Sequence, residues 1–145
     1  MKNKIQNYEG EIKMKKVFLG GTCAESTWRE ELINKLTIDY FNPVVEDWTE
    51  ECMAEERKQR ETCDYCLYTI TPRMKGVYSI AEVIDDSNKR PLKTVFCLLD
   101  YDISPNLFKF DEAQLKSLEQ VGKMVERNGG RFFKSLEEVA NFLNN

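Results

Sequence analysis

The chain has 145 residues, of which 41% are hydrophobic and 32% charged, and its formal net charge is −4. These values are typical of one soluble globular domain with its own core. The scattered Lys and Arg residues form no basic stripe, so binding to a nucleic-acid polymer is disfavoured. The apolar runs are too short to span a membrane, and the polar N-terminus has no signal-peptide character. We therefore expect a cytoplasmic protein.

The chain contains no histidine and five cysteines. The lack of histidine excludes Ser-His-Asp and Cys-His catalysis and His-ligated metal sites, so acid–base chemistry must come from carboxylates, thiols, lysines or tyrosines. Cys63 and Cys66 have the spacing of a redox pair or half a zinc site. However, they lead into a predicted strand, and the other cysteines are isolated. We therefore favour buried structural thiols.

The first half of the chain alternates strand and helix. Residues 1–14 are predicted to form a polar extension, and residues 15–145 a single domain. The first strand, 16–20, runs into Gly21. Thr27 and Glu30 have the spacing of a capping box, which opens a helix as far as residue 36. A second strand at 37–41 and a mostly polar helix at 50–62 follow.

The second half repeats the alternation. Residues 65–71 are rich in β-branched and aromatic side chains and end at Pro72, which predicts a third strand. Apolar positions at helical spacing follow from Val77 until Asp86-Ser87-Asn88 and Pro91 end the helix. A strand at 93–99, an amphipathic helix at 111–128 and a short strand at 131–133 come next. Ser135, with Glu138 at capping-box distance, opens the last helix.

Five successive strand–helix units predict an α/β fold with a parallel sheet covered on both faces. The most economical arrangement is flavodoxin-like and doubly wound, with strand order 2-1-3-4-5. In that order the topological switch point lies between strands 1 and 3, and ligands bind at their carboxyl ends. We therefore expect the loop at 20–25 to face the loop and helix at 72–82 across one crevice.

Two glutamates are candidates for chemistry at this crevice. Glu82 lies near the start of the third helix, where it is either a solvated residue or a carboxylate aimed into the crevice. Glu56, in the preceding helix, could bring a second carboxylate. It also has the i,i+4 spacing to Arg60 of an ordinary surface ion pair.

The remaining candidates would contact a ligand. Gly20-Gly21-Thr22 either permits close approach of the backbone to a ligand or is only a tight turn, and it lacks the spacing of a dinucleotide site or a P-loop. Trp48 and Tyr78 lie near strand exits, where they could stack on a base.

Four segments together resemble the nucleoside 2-deoxyribosyltransferase-like family. They are Val17-Phe18-Leu19-Gly20-Gly21, Phe41-Asn42-Pro43-Val44-Val45-Glu46-Asp47-Trp48, the strand from Cys63-Asp64 to Thr71-Pro72, and Gly76-Val77-Tyr78-Ser79-Ile80-Ala81-Glu82-Val83. The resemblance implies a flavodoxin-like fold and 2-deoxyribosyl transfer between bases by double displacement, with Glu82 as nucleophile and Glu56 as second acidic residue.

The resemblance also implies the ligand and the assembly. The ligand would be a small nucleoside or nucleotide, with no metal or organic cofactor, and the protein would form a homodimer or larger homo-oligomer. The substrate-binding candidates are Gly20, Gly21, Thr22, Asp47, Trp48, Gly76, Tyr78 and Ser79.

Two positions depart from the transferases of that family. Phe18 stands where they carry a tyrosine, and Gly76 stands where they carry an aspartate six residues before the nucleophile. Three activities are therefore compatible with the sequence: deoxyribosyl transfer, hydrolysis by an N-glycosidase with water as acceptor, and non-catalytic binding of a nucleotide or signalling ligand.

Overall fold

The computed structural model describes residues 4–6, 12–23 and 25–145. The strands are β1 (Lys4–Gln6), β2 (Ile12–Met14), β3 (Lys16–Gly21), β4 (Asp39–Phe41), β5 (Tyr65–Ile70), β6 (Thr94–Leu98), β7 (Tyr101–Asp102), β8 (Phe108–Lys109) and β9 (Arg131–Phe133). The helices are α1 (Trp28–Ile33), α2 (Glu50–Thr62), α3 (Tyr78–Lys89), α4 (Glu112–Arg127) and α5 (Leu136–Asn144), and a 3-10 turn at Pro91–Lys93 precedes β6.

Five strands form the central sheet in the order β4-β3-β5-β6-β9, and each neighbouring pair is parallel. Numbered along the chain within this sheet, the order is 2-1-3-4-5, which confirms the predicted flavodoxin-like topology. β1 pairs with β2 and β7 with β8 in two separate antiparallel ladders. After β3 the chain forms β4 at one edge of the sheet. It then crosses to the other side of β3, where it forms β5.

Helices cover the sheet on both faces, as predicted. Strands β3, β5 and β6 are buried along almost their whole length, which is typical of parallel strands packed on two sides. One face packs against Trp28 and Leu32 of α1 and the apolar side of α5. The other packs against Val83 of α3 and the apolar side of α4. Helix α2 differs from these four because none of its residues is buried.

Helix α3 ends between its two predicted stop signals. The segment Asp86-Ser87-Asn88 lies inside the helix, which continues to Lys89 and ends before Pro91. Asp86 and Ser87 are buried, and the Ser87 hydroxyl donates to the Ile84 carbonyl at 2.8 Å. The Asp86 carboxylate is bonded by the side chains of Arg60, Tyr68 and Arg90. It therefore does not compete for the helical backbone, which is how such residues usually end helices.

The two predicted capping boxes have different outcomes. Ser135 accepts a hydrogen bond from the Glu138 amide at 3.2 Å and so caps α5. Thr27 precedes α1 but makes no side-chain cap bond, and α1 ends at Ile33, short of residue 36. The Thr27 backbone has φ −100° and ψ 13°, whereas a capping residue normally has extended geometry. The prediction of a cap at Thr27 was therefore wrong.

Three of the five cysteines agree with the interpretation as buried structural thiols, whereas Cys23 is exposed and Cys52 is half-buried. All five are free, and Cys63, Cys66 and Cys97 are buried. The Cys66 thiol donates to the Arg60 carbonyl at 3.1 Å, and the Cys63 thiol lies 3.4 Å from Oε1 of Gln59. Within the described residues, no group of three or more metal-ligating side chains could hold an ion.

The predicted extension at residues 1–14 falls partly outside the described residues, because 1–3 and 7–11 are not among them. The described residues of this segment form β1 and β2. The predicted boundary between this extension and the domain, at residue 15, stays a prediction. No helix in the described ranges combines the length and apolar character needed to cross a membrane.

Candidate active site

A pocket of about 400 Å³ opens at the carboxyl ends of β3 and β5. Its volume lies within the range of small-molecule sites. The two strand exits are joined, because the Thr22 amide donates to the Thr69 carbonyl at 2.9 Å and the Thr71 amide donates to the Thr22 hydroxyl at 3.0 Å. The pocket therefore lies at the switch point, where the strand order predicts it.

Most of the candidate residues meet in this pocket. Those that line it are Gly20, Gly21, Thr22, Trp48, Glu56, Gly76, Tyr78, Ser79 and Glu82. Asp47 does not line it; its carbonyl instead lies 3.7 Å from the Cys52 thiol at the start of α2. The other lining residues were not among the substrate-binding or catalytic candidates; they are Phe18, Cys23, Arg29, Pro43, Ile70, Met74 and Lys75.

The glycine pair is required by packing between strands. Gly21 has φ +116°, and a Cβ added there would lie 2.0 Å from the Thr69 carbonyl oxygen. A Cβ on Gly20 would lie 2.8 Å from the Tyr68 ring. The two glycines thus let β3 pass close to β5, and the pocket wall they form is bare backbone. A tight turn alone does not explain them.

Glu82 is a buried carboxylate. Only 8% of its surface is exposed, so the solvated alternative for this residue was wrong. Burial raises the pKa of Glu82 to about 7; the charge of Glu56 and hydrogen bonding to it add to the rise, while Arg60 opposes it. Because the neutral and charged forms are both accessible near neutral pH, Glu82 meets a common requirement of carboxylates that take part in catalysis.

Arg60 of α2 contacts Glu82 directly. Its Nη1 atom lies 3.2 Å from Oε2 of Glu82. The i,i+4 ion pair between Glu56 and Arg60 that the spacing allowed is not formed in the described structure, because the guanidinium turns toward α3. Glu56 instead contributes its carboxylate to the pocket wall.

Behind Glu82 lies a group of bonded side chains, the Asp86 cluster, which consists of Arg60, Tyr68, Asp86 and Arg90. Asp86 is fully buried and accepts hydrogen bonds from Arg60 at 2.9 Å, from Arg90 at 2.7 Å and from the Tyr68 hydroxyl. Burial works to raise the pKa of Asp86, but these three donors outweigh it and lower that pKa. Asp86 is therefore ionised at neutral pH.

Only part of this cluster could be predicted from the sequence. Asp86 follows Glu82 by four residues, so the two share a helix face, although Asp86 was assigned to a helix end. The distance from Arg60 to Asp86 along the chain is 26 residues. No local pattern predicts that contact.

Arg29 is a cation of the pocket wall that the sequence analysis missed. It is buried, and it donates to the carbonyls of Leu19, Gly21 and Thr22 at 3.1, 3.3 and 2.6 Å. Burial lowers its pKa. Arg29 therefore braces the end of β3, and a lone arginine in the first turn of a helix carries no sequence signal for that role.

Two aromatic side chains stand at the pocket rim. Trp48 is 54% exposed and Tyr78 is 73% exposed, which is unusual for large rings and leaves their faces open to a planar ligand. Phe18 lies deeper in the wall and offers no hydroxyl. The pocket thus combines two acidic groups at its base with an aromatic rim.

Comparison with known proteins gives one match. The sequence model of a family described as "Nucleoside 2-deoxyribosyltransferase like" matches residues 14–101, which is more than half of the chain. The matched range includes every residue that lines the pocket. No curated protein and no solved structure shows significant similarity to the chain.

Proposed function

The chain belongs to the nucleoside 2-deoxyribosyltransferase-like family, and from this premise we propose that it cleaves the N-glycosidic bond of a nucleoside or nucleotide through a covalent intermediate on Glu82. The observation that supports this most directly is the pair of carboxyl groups, Glu82 and Glu56, in a pocket of nucleoside-compatible size. Because the pKa of Glu82 is raised to about 7, the pair readily holds one proton near neutral pH.

With one proton on the pair, both groups needed for the first step are present. The ionised Glu82 carboxylate attacks the anomeric carbon and forms an ester bond to the sugar. The bond from that carbon to the base breaks, and its electron pair leaves with the base. A proton passes through Glu56 to the base, so that the base departs neutral.

The second step returns the pair to its starting state. An acceptor attacks the anomeric carbon, the ester bond breaks, and Glu82 regains its charge. The proton of the acceptor passes to Glu56. A base as acceptor makes the reaction a transfer, and water makes it a hydrolysis.

The rim of the pocket supports a planar base as part of the substrate. Trp48 and Tyr78 present exposed rings beside the acidic groups, and stacking on such rings recognises a base through its face. A homo-oligomer, implied by the family, also stays a proposal.

Incubation of the purified protein with a panel of nucleosides and nucleotides, with and without free acceptor bases, tests this function. Chromatography should show a new nucleoside if a base accepts the sugar, or free sugar and base if water does. Glu82→Ala should reduce turnover by at least a thousandfold, because it removes the nucleophile. Intact-mass measurement of the acid-quenched protein should show one added sugar on the unaltered chain alone.

The matched control is Glu137→Ala, which removes an exposed carboxylate from the first turn of α5. Its turnover should equal that of the unaltered protein. Full activity in Glu82→Ala would rule out the covalent mechanism. Ligand binding without any product in the panel would favour the non-catalytic binding module.

A further inference from the structure

The guanidinium of Arg60 lies between Glu82 and Asp86 of α3, and its Nη2 atom also lies 3.6 Å from Oδ2 of the partly exposed Asp85 side chain. One edge reaches Glu82, with Nη1 3.2 Å from Oε2. The other edge reaches Asp86, with Nη2 2.9 Å from Oδ1 and Nε 3.4 Å from Oδ2. A planar group with several fixed donors can hold both partners at once, which a lysine cannot do in the same geometry.

The Asp86 carboxylate accepts hydrogen bonds from three side chains. Besides Arg60 it accepts from Arg90 and from Tyr68 of β5, and its side chain has no exposure to solvent. Tyr68 is fully buried in the central sheet, so the cluster connects Arg60 to the rigid core. This connection matters because α2, which carries Arg60, has no buried residue of its own.

We propose that Arg60, anchored by Asp86, is the positioning residue that holds Glu82 in place for attack and favours its ionised form. This inference rests on the proposed function, in which Glu82 attacks and Glu56 passes the proton to the base. Arg60 forms an ion pair with Glu82. Among the ion pairs of the described residues, none is between Arg60 and Glu56. The cation therefore favours the charge distribution that the first step requires.

The contact between Arg60 and Asp86 also matters after Glu82 has attacked the sugar. When Glu82 becomes an ester it loses its charge, and a largely buried cation left without a partner would be unfavourable. Arg60 keeps its contacts with Asp86, so a charged partner remains. A single carboxylate opposite Arg60 could not serve both states.

Several other groups surround Glu82 and bear on its titration. They are Cys23 of the loop after β3, Arg29 of α1, Glu56 of α2, Lys75 of the loop after β5, and Tyr78 and Asp86 of α3. Of the described cations, Arg60 is the one within ion-pair distance of Glu82. Removal of Arg60 should therefore dominate any change in the titration of Glu82.

The first test measures Glu82 without any substrate. The side-chain carboxyl groups are labelled with carbon-13, the Glu82 signal is assigned by its loss in Glu82→Gln, and its pKa is followed by nuclear magnetic resonance. Arg60→Gln should raise that pKa, because a cation that favours the charged form is gone. Arg57→Gln, the same change at an exposed position of α2, should leave it unchanged.

Arg60→Lys separates charge from geometry and keeps the test valid if Arg60→Gln folds poorly. Lysine preserves the cation but cannot span both carboxylates, so the pKa of Glu82 should change less than in Arg60→Gln. In both variants kcat should fall by about tenfold to a hundredfold with KM little changed, as expected when an attacking group loses its position. The acid limb of the pH–rate profile should move to higher pH in Arg60→Gln.

The outcomes separate this inference from the proposed function. An unchanged Glu82 pKa in a folded Arg60→Gln protein would overturn the role of Arg60, whether or not the protein is an enzyme. Full kcat in Arg60→Lys would overturn the need for the two-sided contact. If the titration shifts as expected but the unaltered protein turns over no substrate, the proposed function fails, and a role for Arg60 in catalysis fails with it.

Discussion

Glu82 is buried beside a second carboxyl group, and its pKa of about 7 lies well above the ordinary value of 4.5. Burial is the largest cause of the rise, and Glu56 adds to it. Between these two pH values the folded protein holds a proton that the unfolded chain has released. Stability therefore falls as pH rises through this interval, and the loss is complete above pH 7.

Replacement of Glu82 by glutamine should stabilise the protein at pH 8. Glutamine has nearly the same size and stays neutral, so it avoids the cost of a buried charge. The free energy of unfolding should rise on the order of 2 kcal/mol at pH 8 and change little at pH 5, where Glu82 is already protonated in the folded state. Urea denaturation at the two pH values measures the difference.

Glu137→Gln serves as the comparison, since Glu137 is exposed on α5 and its replacement should have similar small effects at both pH values. Equal or lower stability of Glu82→Gln at pH 8 would contradict a net cost of the ionised form. Loss of the ion pair with Arg60 works against the predicted gain, but the upward shift of the pKa shows that burial and Glu56 outweigh it.

Single residues also show how far sequence reasoning reaches. Glu82 could be located because the strand order places the start of the third helix beside the crevice. Its burial could not be predicted from its neighbours in sequence. The contact that accompanies this burial comes from Arg60, on another helix, and nothing near Arg60 in the sequence distinguishes it from the other charged residues of α2.

At the scale of elements, α1 and α5 begin with the same sequence pattern, but the structures of their N-terminal ends differ. Each has a hydroxyl residue followed three positions later by glutamate, at Thr27 and Ser135. Ser135 has extended backbone geometry and reaches the Glu138 amide. At the start of α1 the buried side chains of Trp28 and Arg29 both bond the Thr22 carbonyl. These contacts accompany a backbone at Thr27 that is unsuitable for a cap.

The two ends should respond differently to the same substitution. Ser135→Ala removes a formed cap and should lower the free energy of unfolding by about 1 kcal/mol. Thr27→Ala removes a hydroxyl that makes no cap bond and should change it by less than about 0.5 kcal/mol. Chemical denaturation of both variants checks this, and a larger loss for Thr27→Ala would contradict the assignment of the caps.

Element boundaries were less predictable than element types. Alternation of apolar runs indicated all five sheet strands and all five helices in the correct order. The short β7 and β8 ladder was not predicted, because strands of two residues carry no periodicity. Helix α3 continued through Asp86 because a buried network, formed by residues distant in sequence, overrode the local preference of that segment.

For the whole molecule, strand order was the decisive prediction. It followed from the regular alternation of strands and helices, and it located the pocket before any side chain was considered. The polar network behind the pocket could not follow from it, because contacts such as Arg60 to Asp86 depend on how separate elements pack. The sequence thus indicated where the pocket lies more fully than it indicated which side chains line it.

The cysteines should report on the cooperativity of the whole fold. Burial raises the pKa of Cys63 to about 11 and those of Cys66 and Cys97 to about 12, so these thiols should react only when the domain unfolds. Exposed Cys23 and half-buried Cys52 should react in the native state. A colorimetric thiol reagent at pH 8 should therefore count two fast groups without denaturant and five in guanidinium.

A Cys23→Ser, Cys52→Ser double variant is the control, and it should show no fast reaction while native. Rapid reaction of a third thiol in the unaltered protein would mean that part of the domain opens independently. That result would contradict a single cooperative unit.

The absence of buried residues in α2 has a consequence for how this protein can change. The helix supplies Glu56 to the pocket and Arg60 to the cluster, yet the hydrophobic core includes none of its side chains. Changes in how α2 packs on the domain therefore move Glu56 in the pocket wall at little cost in core packing. New ligand preferences could evolve, or be selected in a library, through such changes while the sheet and its four core-packed helices remain the same.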